Sequence, residues 1–230
     1  MSKRNKKELE TKAVGLITLV DPSSPVSEQY RTIRTNLQFA SSIDRRLQTM
    51  VITSSGPGEG KSTTSANLAI VFAKAGQRVL LVDADMRKPT VYKTFQLSNN
   101  IGLSTLLSTN ESIIEAVQQT MVDNLSVLPS GPKPPNPSEL LGSQRMNQVI
   151  NELKQSFDIV IFDMPPIVTV TDAQIMASKV DGTLLIVREN ITNKESLSKA
   201  KELLKLVNAH VLGTVYNGAK QTKDQSYYYY

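Results

Sequence analysis

The sequence contains no cysteine and only one histidine, His210, among its 230 residues. The absence of cysteine excludes disulfide bonds, thiolate zinc sites and cysteine nucleophiles. A single histidine gives no basis for a histidine-rich metal site or for a Ser-His-Asp triad. Any chemistry must therefore come from carboxylates, lysine, hydroxyl groups or a bound cofactor.

Long apolar runs and an excess of turn-forming residues are also missing. No run approaches the ~18 apolar residues of a membrane-spanning helix, and no apolar stretch of the kind found in secretory signals follows the basic residues 1–12. Glycine and proline, 11 of each, are too few for a fibrous or low-complexity protein. With 40% hydrophobic residues, the chain can bury a core, which excludes wholesale disorder.

The net charge of +5 comes mostly from the start of the chain, where four lysines and arginines occur in the first seven residues without an acid. Subtracting these four cations leaves +1 for the rest of the chain. The globular part is therefore near neutral and does not indicate a nucleic-acid partner. We interpret the basic arm as a solvated tail, with contact to anionic lipid or an acidic partner as the alternative.

Apolar runs rich in Val, Ile and Leu alternate with helical patterns. This alternation predicts a doubly wound, mostly parallel α/β sheet with helices on both faces. The predicted strands are Met50–Thr53, Arg78–Asp83, Leu125–Pro129, Asp158–Asp163, Gly182–Val187 and Val211–Tyr216. The predicted helices are Lys61–Ala75, a segment from Thr105 toward Gln118, Arg145–Phe157, Asp172–Lys179 and Lys194–Val207. Residues 130–137 (SGPKPPNP) are predicted to form a rigid loop within the same domain.

Residues 50–64 (MVITSSGPGEGKSTT) read as a strand, a glycine-rich loop and the start of a helix. The segment 55–62 fits the phosphate-binding loop pattern from its Gly-Lys-Ser end, although Ser55 stands where the pattern begins with glycine. Small residues let successive backbone N–H groups converge on phosphate oxygens, and the helix N-terminus adds a positive dipole end. We therefore predict nucleotide binding, with Lys61 reaching the β- and γ-phosphates and Ser62 offering its hydroxyl to Mg²⁺.

Three aspartates follow apolar strands. Asp83 and Asp85 end one strand (RVLLVDADMR), and Asp163 ends another (DIVIFDMPP). Ligands of open α/β sheets bind beyond the carboxyl ends of the strands, so we expect all three carboxylates to face the phosphate loop. A single aspartate at such a place could cap a turn, but three together favour a site for Mg²⁺ and phosphates.

These motifs carry a family resemblance. The combination of SSGPGEGKST, LLVDADMR and IVIFDMPP with a C-terminal run of tyrosines resembles the bacterial tyrosine kinases (BY-kinases), which use phosphate-loop motifs in place of the eukaryotic kinase signature. The resemblance covers about residues 26–230. Within the family, the chain is similar to the kinase of the split Gram-positive arrangement, in which a separate membrane protein supplies the activating cytosolic segment.

The resemblance implies ATP and Mg²⁺ as cofactors and assigns roles to the motif residues. Lys61 would bind and polarise the phosphates, while Ser62 and Asp85 would serve Mg²⁺. Asp163 stands at the family's Walker B position, close to the metal and its waters. Asp83 is the candidate for accepting the proton of the tyrosine hydroxyl, a role that suits a base near neutral pH.

Two further residues complete the motifs that the resemblance covers. Arg87 ends the family's D-x-D-x-R motif, with its role left open. Asn217, at the end of the last predicted strand, falls where related folds contact the adenine. The expected ATP-binding residues are Gly56, Pro57, Gly58, Glu59, Gly60, Lys61, Ser62, Thr63 and Asn217.

The last four residues of the sequence are tyrosines that follow the polar stretch KQTKDQS, and they are Tyr227, Tyr228, Tyr229 and Tyr230. The polar stretch is predicted not to fold. A terminal strand tucked into the sheet is the alternative, but exposed hydroxyl groups beside an ATP site favour all four tyrosines as phosphoacceptors. Each phosphate would add roughly −1.5 to −2 charge to the tail.

A helix is predicted after Ser24 and Pro25, which suit an N-cap and the first helical position. On this helix Glu28, Arg31 and Arg34 match the family's E-x-x-R-x-x-R element, which mediates subunit contacts in a ring-like oligomer. The residues alone favour an intrahelical salt bridge between positions three apart. The resemblance favours an oligomer interface.

Taken together, the resemblance implies an ATP-dependent protein-tyrosine kinase that phosphorylates its own tail in trans and regulates capsular or exopolysaccharide synthesis and export. It implies a cytoplasmic protein recruited to the inner face of the membrane by its activator, a ring-like homo-oligomer, a tyrosine phosphatase and protein tyrosine substrates, with no nucleic acid. The expected organisation is a basic flexible segment 1–22, a kinase domain 23–218 whose oligomerisation helix is 23–40, and a disordered tail 219–230.

Two other functions fit the same fold. Partitioning or positioning ATPases typically carry a signature lysine near the start of the phosphate loop, where this chain has Gly56 flanked by Ser55 and Pro57. A scaffold that binds ATP without transferring phosphate is the second alternative. The acidic pair of Asp83 and Asp85 and the tyrosine tail speak against it.

Overall fold

In the computed structural model, which describes residues 13–40, 46–109 and 111–219, strands and helices alternate along the chain. The strands of the described part are β1 (Thr49–Ser54), β2 (Val79–Asp83), β3 (Gln118–Gln119), β4 (Leu125–Leu128), β5 (Ile159–Asp163), β6 (Gly182–Arg188) and β7 (Val211–Asn217). The helices are α1 (Ile17–Val20), α2 (Pro25–Ala40), α3 (Lys61–Lys74), α4 (Val91–Thr94), α5 (Leu103–Ser108), α6 (Ile113–Ala116), α7 (Pro137–Gly142), α8 (Gln144–Ser156), α9 (Asp172–Ala177) and α10 (Lys194–Leu206).

The strands form one seven-stranded sheet in the order β3-β4-β2-β5-β1-β6-β7. Within the described residues the pairings are parallel, apart from the short antiparallel contact of β3 with β4. Because β1 lies between β5 and β6, the loop that follows it leaves from the middle of the sheet's carboxyl edge. Open sheets of this kind bind their ligands at that edge.

Helices cover both faces of the sheet. Successive strand residues point to opposite faces, so Val51 and Val82 join a core with α5 to α10, whereas Met50 and Leu81 join a core with α2, α3 and α4. Burial on both faces explains why the strands read as continuous apolar runs rather than as alternating patterns. The predicted doubly wound α/β fold is confirmed.

Most predicted elements lie within about two residues of the observed ones, but the helix predicted from Thr105 toward Gln118 is wrong. The chain there forms α5, α6 and then β3. Thr109, with φ −130° and ψ −178°, is extended and ends α5, and the Ser112 side chain caps α6 by accepting a hydrogen bond from the N–H of Ile114. The hydroxyl groups of these residues compete with the helix for backbone partners, which breaks one helix into two.

The residues before α2 also differ from the expectation. Thr18 is buried, and its N–H and hydroxyl donate to Oδ1 of Asn67 on α3 at 3.0 and 2.9 Å. The Asn67 amide in turn donates to the carbonyl of Gly15 at 2.8 Å, and the N–H of Val14 donates to the hydroxyl of Thr94, the last residue of α4. The prediction of a flexible segment over residues 1–22 is therefore wrong for residues 14–18, whereas residues 1–12 lie outside the described residues.

Candidate active site

The segment 55–60 connects β1 to α3, as the phosphate-loop pattern predicts. Gly58 and Gly60 have φ angles of 79° and 95°, in the left-handed region that favours glycine. At Gly60 a Cβ atom would lie 2.1 Å from Nδ2 of Asn217, so the close approach of β7 also excludes a side chain. The backbone of the loop thus lies at the N-terminus of a 14-residue helix, where N–H groups and the helix dipole favour anions.

A side-chain clamp closes the start of the loop. Glu59 is buried, and its carboxylate accepts hydrogen bonds from the N–H of Ser55 at 3.0 Å and from the Ser55 hydroxyl at 2.7 Å. A glycine at position 55 could make only the first of these bonds. The departure from the pattern at Ser55 therefore supplies a second bond to the clamp.

The other loop residues of the predicted nucleotide site surround this clamp. Gly56 is half-buried, Pro57 is exposed at the tip of the loop, and Ser62 and Thr63 lie in the first turn of α3. Ser62 is buried, and its hydroxyl lies within hydrogen-bond distance of Nζ of Lys61.

Lys61 lies between two of the predicted carboxylates. Its Nζ is 3.0 Å from Oδ2 of Asp85, 3.8 Å from Oδ2 of Asp163 and 3.2 Å from Oγ of Ser62. Burial opposes the lysine charge, but the attraction of Asp163 and Asp85 outweighs it and raises the pKa of Lys61. The lysine is therefore charged at the point where phosphates would meet the strand ends.

Asp83 and Asp163 are opposite each other on the neighbouring strands β2 and β5, and neither side chain is exposed. One oxygen of Asp83, Oδ2, accepts the N–H groups of Thr90 and Val91 at 3.0 and 2.9 Å, whereas Oδ1 has no hydrogen-bond partner. Burial, with the charge of Asp163, raises the pKa of Asp83 to about 8. Burial also raises the pKa of Asp163.

The residues at this edge fit a Mg²⁺–nucleotide complex. Within the described residues, no three histidine or acidic side chains form a ready-made metal cage, but Mg²⁺ is usually held by one or two carboxylates together with phosphates and water. Asp85, Asp163 and the Ser62 hydroxyl would provide the oxygen ligands. Oδ2 of Asp163 and Oδ1 of Asp83 are buried without a hydrogen-bond partner, which is costly unless a charged ligand satisfies them.

The ends of β6 and β7 hold the loop from the opposite side. Asn217 donates from Nδ2 to the carbonyl of Glu59 at 3.1 Å, and Arg188 donates from Nη1 to the carbonyl of Gly58 at 3.0 Å. The predicted adenine contact of Asn217 stays a prediction; its observed partner is the phosphate loop itself. Sequence reasoning missed Arg188, because only its position at a strand end, next to Asn217 in the β6–β7 register, connects it with the site.

The predicted interface residues lie on α2. Its start is capped as predicted, with the N–H of Ser27 donating to the Ser24 hydroxyl at 3.2 Å. Arg31 pairs with Glu28 in the same helix, and Arg34 donates to the carbonyl of Val71 on α3 at 3.3 Å. The intrahelical pair is thus present, and contact with a second copy stays a prediction.

The four predicted phosphoacceptors lie outside the described residues, which end at residue 219; they are Tyr227, Tyr228, Tyr229 and Tyr230. Their role as acceptors therefore stays a prediction, as does the disordered tail over residues 219–230. Among the described helices, none is both long and apolar enough to cross a bilayer.

Known proteins are similar to this chain over most of its length. Residues 47–212 match the family model of the AAA domain. The chain is 50% identical over 216 residues to the tyrosine-protein kinase YwqD of Bacillus subtilis (strain 168), covering 94% of this chain and 91% of that protein. It is 43% identical over 209 residues to the putative tyrosine-protein kinase CapB of Staphylococcus aureus, covering 91% of each.

The solved structure of the chimerical protein CapA2B2 has the same fold, with a TM-score of 0.86, 41% identity and coverage of 92% of this chain and 94% of that chain. The chain has a phosphate loop beside three strand-end carboxylates, and its identity to these proteins extends over nearly the whole length. These two observations together assign it to a family. The chain belongs to the bacterial tyrosine kinases of the split Gram-positive type, and it is a protein-tyrosine kinase.

Proposed function

We propose that this kinase transfers the γ-phosphoryl group of ATP to the tyrosines of its own C-terminal tail, in trans between neighbouring subunits, and so regulates capsular or exopolysaccharide synthesis and export. One observation supports the transfer step. Lys61 and three strand-end aspartates converge at the loop before α3, with one buried oxygen of Asp83 left without a hydrogen-bond partner. That oxygen is where a proton can be received.

The side chains divide the work. The N–H groups of residues 58–62 and the Lys61 ammonium hold the phosphates, and Ser62, Asp85 and Asp163 hold Mg²⁺. When bound, Mg²⁺ neutralises charge on the phosphates. Asp83 accepts the proton of the tyrosine hydroxyl at Oδ1. The tyrosine oxygen bonds to the γ-phosphorus while the bond from that phosphorus to the β–γ bridging oxygen breaks, and ADP leaves.

The remaining bonds of Asp83 suit it to this role. The N–H groups of Thr90 and Val91 fix its Oδ2, so Oδ1 has a defined direction. A general base works best when its pKa lies near the working pH, and the pKa of Asp83 is raised to about 8. An ordinary aspartate would accept a phenolic proton much less readily.

The tail is proposed as the acceptor, in a neighbouring subunit. Tyr227–Tyr230 follow a polar stretch, and an adjacent active site would meet them at a high effective concentration. Phosphorylation would add charge to crowded tails and favour disassembly, giving a cycle that a phosphatase resets. We further propose that the protein acts in the cytoplasm, where a membrane protein supplies an activating segment and recruits it to the inner face of the membrane.

The test mixes two variants. One is Lys61→Met with an intact tail, and the other is an active chain lacking residues 227–230. Transfer in trans predicts radiolabelled phosphotyrosine on the Lys61→Met chain. If that chain gains no label while the full-length enzyme still labels itself, transfer is in cis and the cycle is wrong.

The assembly has its own test. Replacing Glu28, Arg31 and Arg34 together with alanine should shift the protein from oligomer toward monomer without unfolding it, since none of the three belongs to the apolar core. Light scattering measures the mass and circular dichroism the fold. An unchanged mass would leave Glu28 and Arg31 as the intrahelical pair that the structure shows.

A further inference from the structure

A buried carboxylate behind the site joins three of its loops. Asp172, the first residue of α9, has no exposed surface, and it accepts both arms of the Arg87 guanidinium, Nε to Oδ2 and Nη2 to Oδ1, each at 2.9 Å. The hydroxyl of Ser138 on α7 donates to the same Oδ1 at 3.0 Å and accepts from Nη2 of Arg87 at 3.2 Å. The three side chains form a closed set of charge-assisted bonds.

Each member of this set comes from a different connection at the carboxyl edge. Arg87 lies between β2 and α4, Ser138 follows the loop after β4, and Asp172 follows the loop after β5. The strands β4, β2 and β5 are neighbours in the sheet. The three side chains therefore join the loops that follow three neighbouring strands, at the same edge of the sheet as the site.

The loop that Arg87 anchors, residues 84–90, positions both aspartates of the D-x-D-x-R motif. Asp85 is held in a tight turn by the N–H of Lys88, which donates to its Oδ1 at 3.0 Å. The far end of the loop supplies the N–H groups of Thr90 and Val91 that fix Asp83. A displacement of Arg87 would therefore move Asp85 and loosen the cap on Asp83 together.

We propose that Asp172 and Ser138 are positioning residues for phosphoryl transfer, acting through Arg87 on the loop that carries Asp85 and caps Asp83. Stability alone does not explain why Asp172 is buried here, because removing a carboxylate from water costs free energy that its ion pair only partly offsets. The planar fork of arginine offers directional bonds that lysine cannot reproduce. The side chain of Arg87 is 37% exposed, whereas that of Asp172 is not exposed at all.

The molecule provides a matched control. Arg78 makes the same kind of fork to Asp158, with bonds of 3.3 Å from Nε and 2.8 Å from Nη2. These two residues precede β2 and β5, so the control pair joins the same two strands at the end away from the site.

The experiment compares Asp172→Asn and Arg87→Lys with Asp158→Asn and Arg78→Lys in the full-length chain. We measure the rate constant of tyrosine autophosphorylation at saturating Mg-ATP, the Kd for Mg-ATP by calorimetry, and Tm. Asp172→Asn should lower the rate constant by about 10- to 100-fold, as misplacement by about 1 Å does in other enzymes, while Kd changes less than about threefold. Arg87→Lys should lower it by about tenfold, and the control variants by less than twofold.

A milder variant covers the case in which Asp172→Asn does not fold. Ser138→Ala removes one bond from the carboxylate and should lower the rate constant by about two- to fivefold at an unchanged Tm. Its control is Ser143→Ala, which removes a serine that caps the next helix and should leave the rate constant unchanged.

Equal rates for the Asp172 and Asp158 variants, or a loss that follows Tm alone, would overturn the proposal. Because total phosphotyrosine is counted, the outcome does not depend on whether the tail or another tyrosine is the acceptor.

Discussion

The aspartates at the two ends of the central strands have pKa values that are shifted in opposite directions. At the amino edge, the hydrogen bonds from Arg78 lower the pKa of Asp158 to about 2. Asp181, bonded at the same edge to Lys154 and Thr49, also has a lowered pKa, because these bonds outweigh the effect of its burial. At the carboxyl edge, burial raises the pKa of Asp83 to about 8 and raises that of Asp163.

The comparison shows where the fold tolerates unfavourable electrostatics. Asp158 and Asp181 each have a cation partner, so their charged forms stabilise the folded state. At the carboxyl edge, Lys61 pairs with only two of the three aspartates, Asp85 and Asp163, and two buried oxygens have no hydrogen-bond partner. Such unsatisfied groups cost stability and collect at sites that bind charged ligands. The same strands thus stabilise the fold at one end and carry the chemistry at the other.

The largest expected effect separates the lysines of the two edges. Lys61→Met should lower tyrosine phosphorylation by about a thousandfold or more, because a preorganised cation at the transferred phosphoryl group is lost. The matched change, Lys154→Met, removes the lysine paired with Asp181 at the amino edge and should leave the rate within about twofold. Radiolabelled ATP with phosphoamino-acid analysis measures both. Phosphotyrosine at the wild-type level in Lys61→Met would reject its role.

The next effect separates two aspartates within the carboxyl edge. Asp83→Asn should keep Mg-ATP binding but slow transfer by about a hundredfold, as loss of a general base does. Asp85→Asn should instead weaken the dependence on Mg²⁺, because it removes a charged ligand. Calorimetric titration with Mg-ATP, with Asp158→Asn as the control, distinguishes the two roles. If both variants fail to bind to the same degree, the division of roles is wrong.

A smaller effect concerns pH. A base with a pKa of about 8 is mostly protonated at pH 6 and must lose its proton to accept another. The value of kcat/KM, which reports the free enzyme, should therefore rise by up to about tenfold per pH unit below 8 and level off above. A profile that is flat from pH 6 to 8.5 would show that Asp83 does not control the rate.

The smallest effect is on stability and has opposite signs at the two edges. Asp83 has a folded pKa above its unfolded value, so the wild type loses stability relative to Asp83→Asn as pH rises from about 4 to about 8. The variant should melt at least about 3 °C higher at pH 8. Asp158 has a folded pKa below its unfolded value, so its charge contributes stability above about pH 4 that is lost as the pH falls toward 2.

Asp158→Asn should therefore lower Tm by about 1–2 °C at pH 7. Thermal melts of both variants and the wild type between pH 4 and 8 measure these differences. Changes of the same sign at both edges would contradict the comparison.

The sequence predicts the residues at the carboxyl edge better than the long-range side-chain bonds that join the loops there. The phosphate loop is recognisable because its glycines, Lys61 and Ser62 are contiguous, and strand periodicity places Asp83 and Asp163 at strand ends. The bonds of Asp172 to Arg87 join residues 85 positions apart, and no local pattern specifies such a contact. The short helices α1, α4 and α7 were missed for a related reason, since helices of four to six residues depend on tertiary packing rather than on propensity.

The docking of residues 14–18 on Asn67 determines where the chain can be shortened. A truncated protein that begins at residue 23, the start suggested by the motifs, would lose both donors to Oδ1 of Asn67. That side chain is fully buried on α3, and the truncation would open it to solvent. Protein production for crystallisation or inhibitor screening should therefore start no later than residue 13. A protease that cuts between residues 18 and 25 would separate the segment bonded to Asn67 from the rest of the chain.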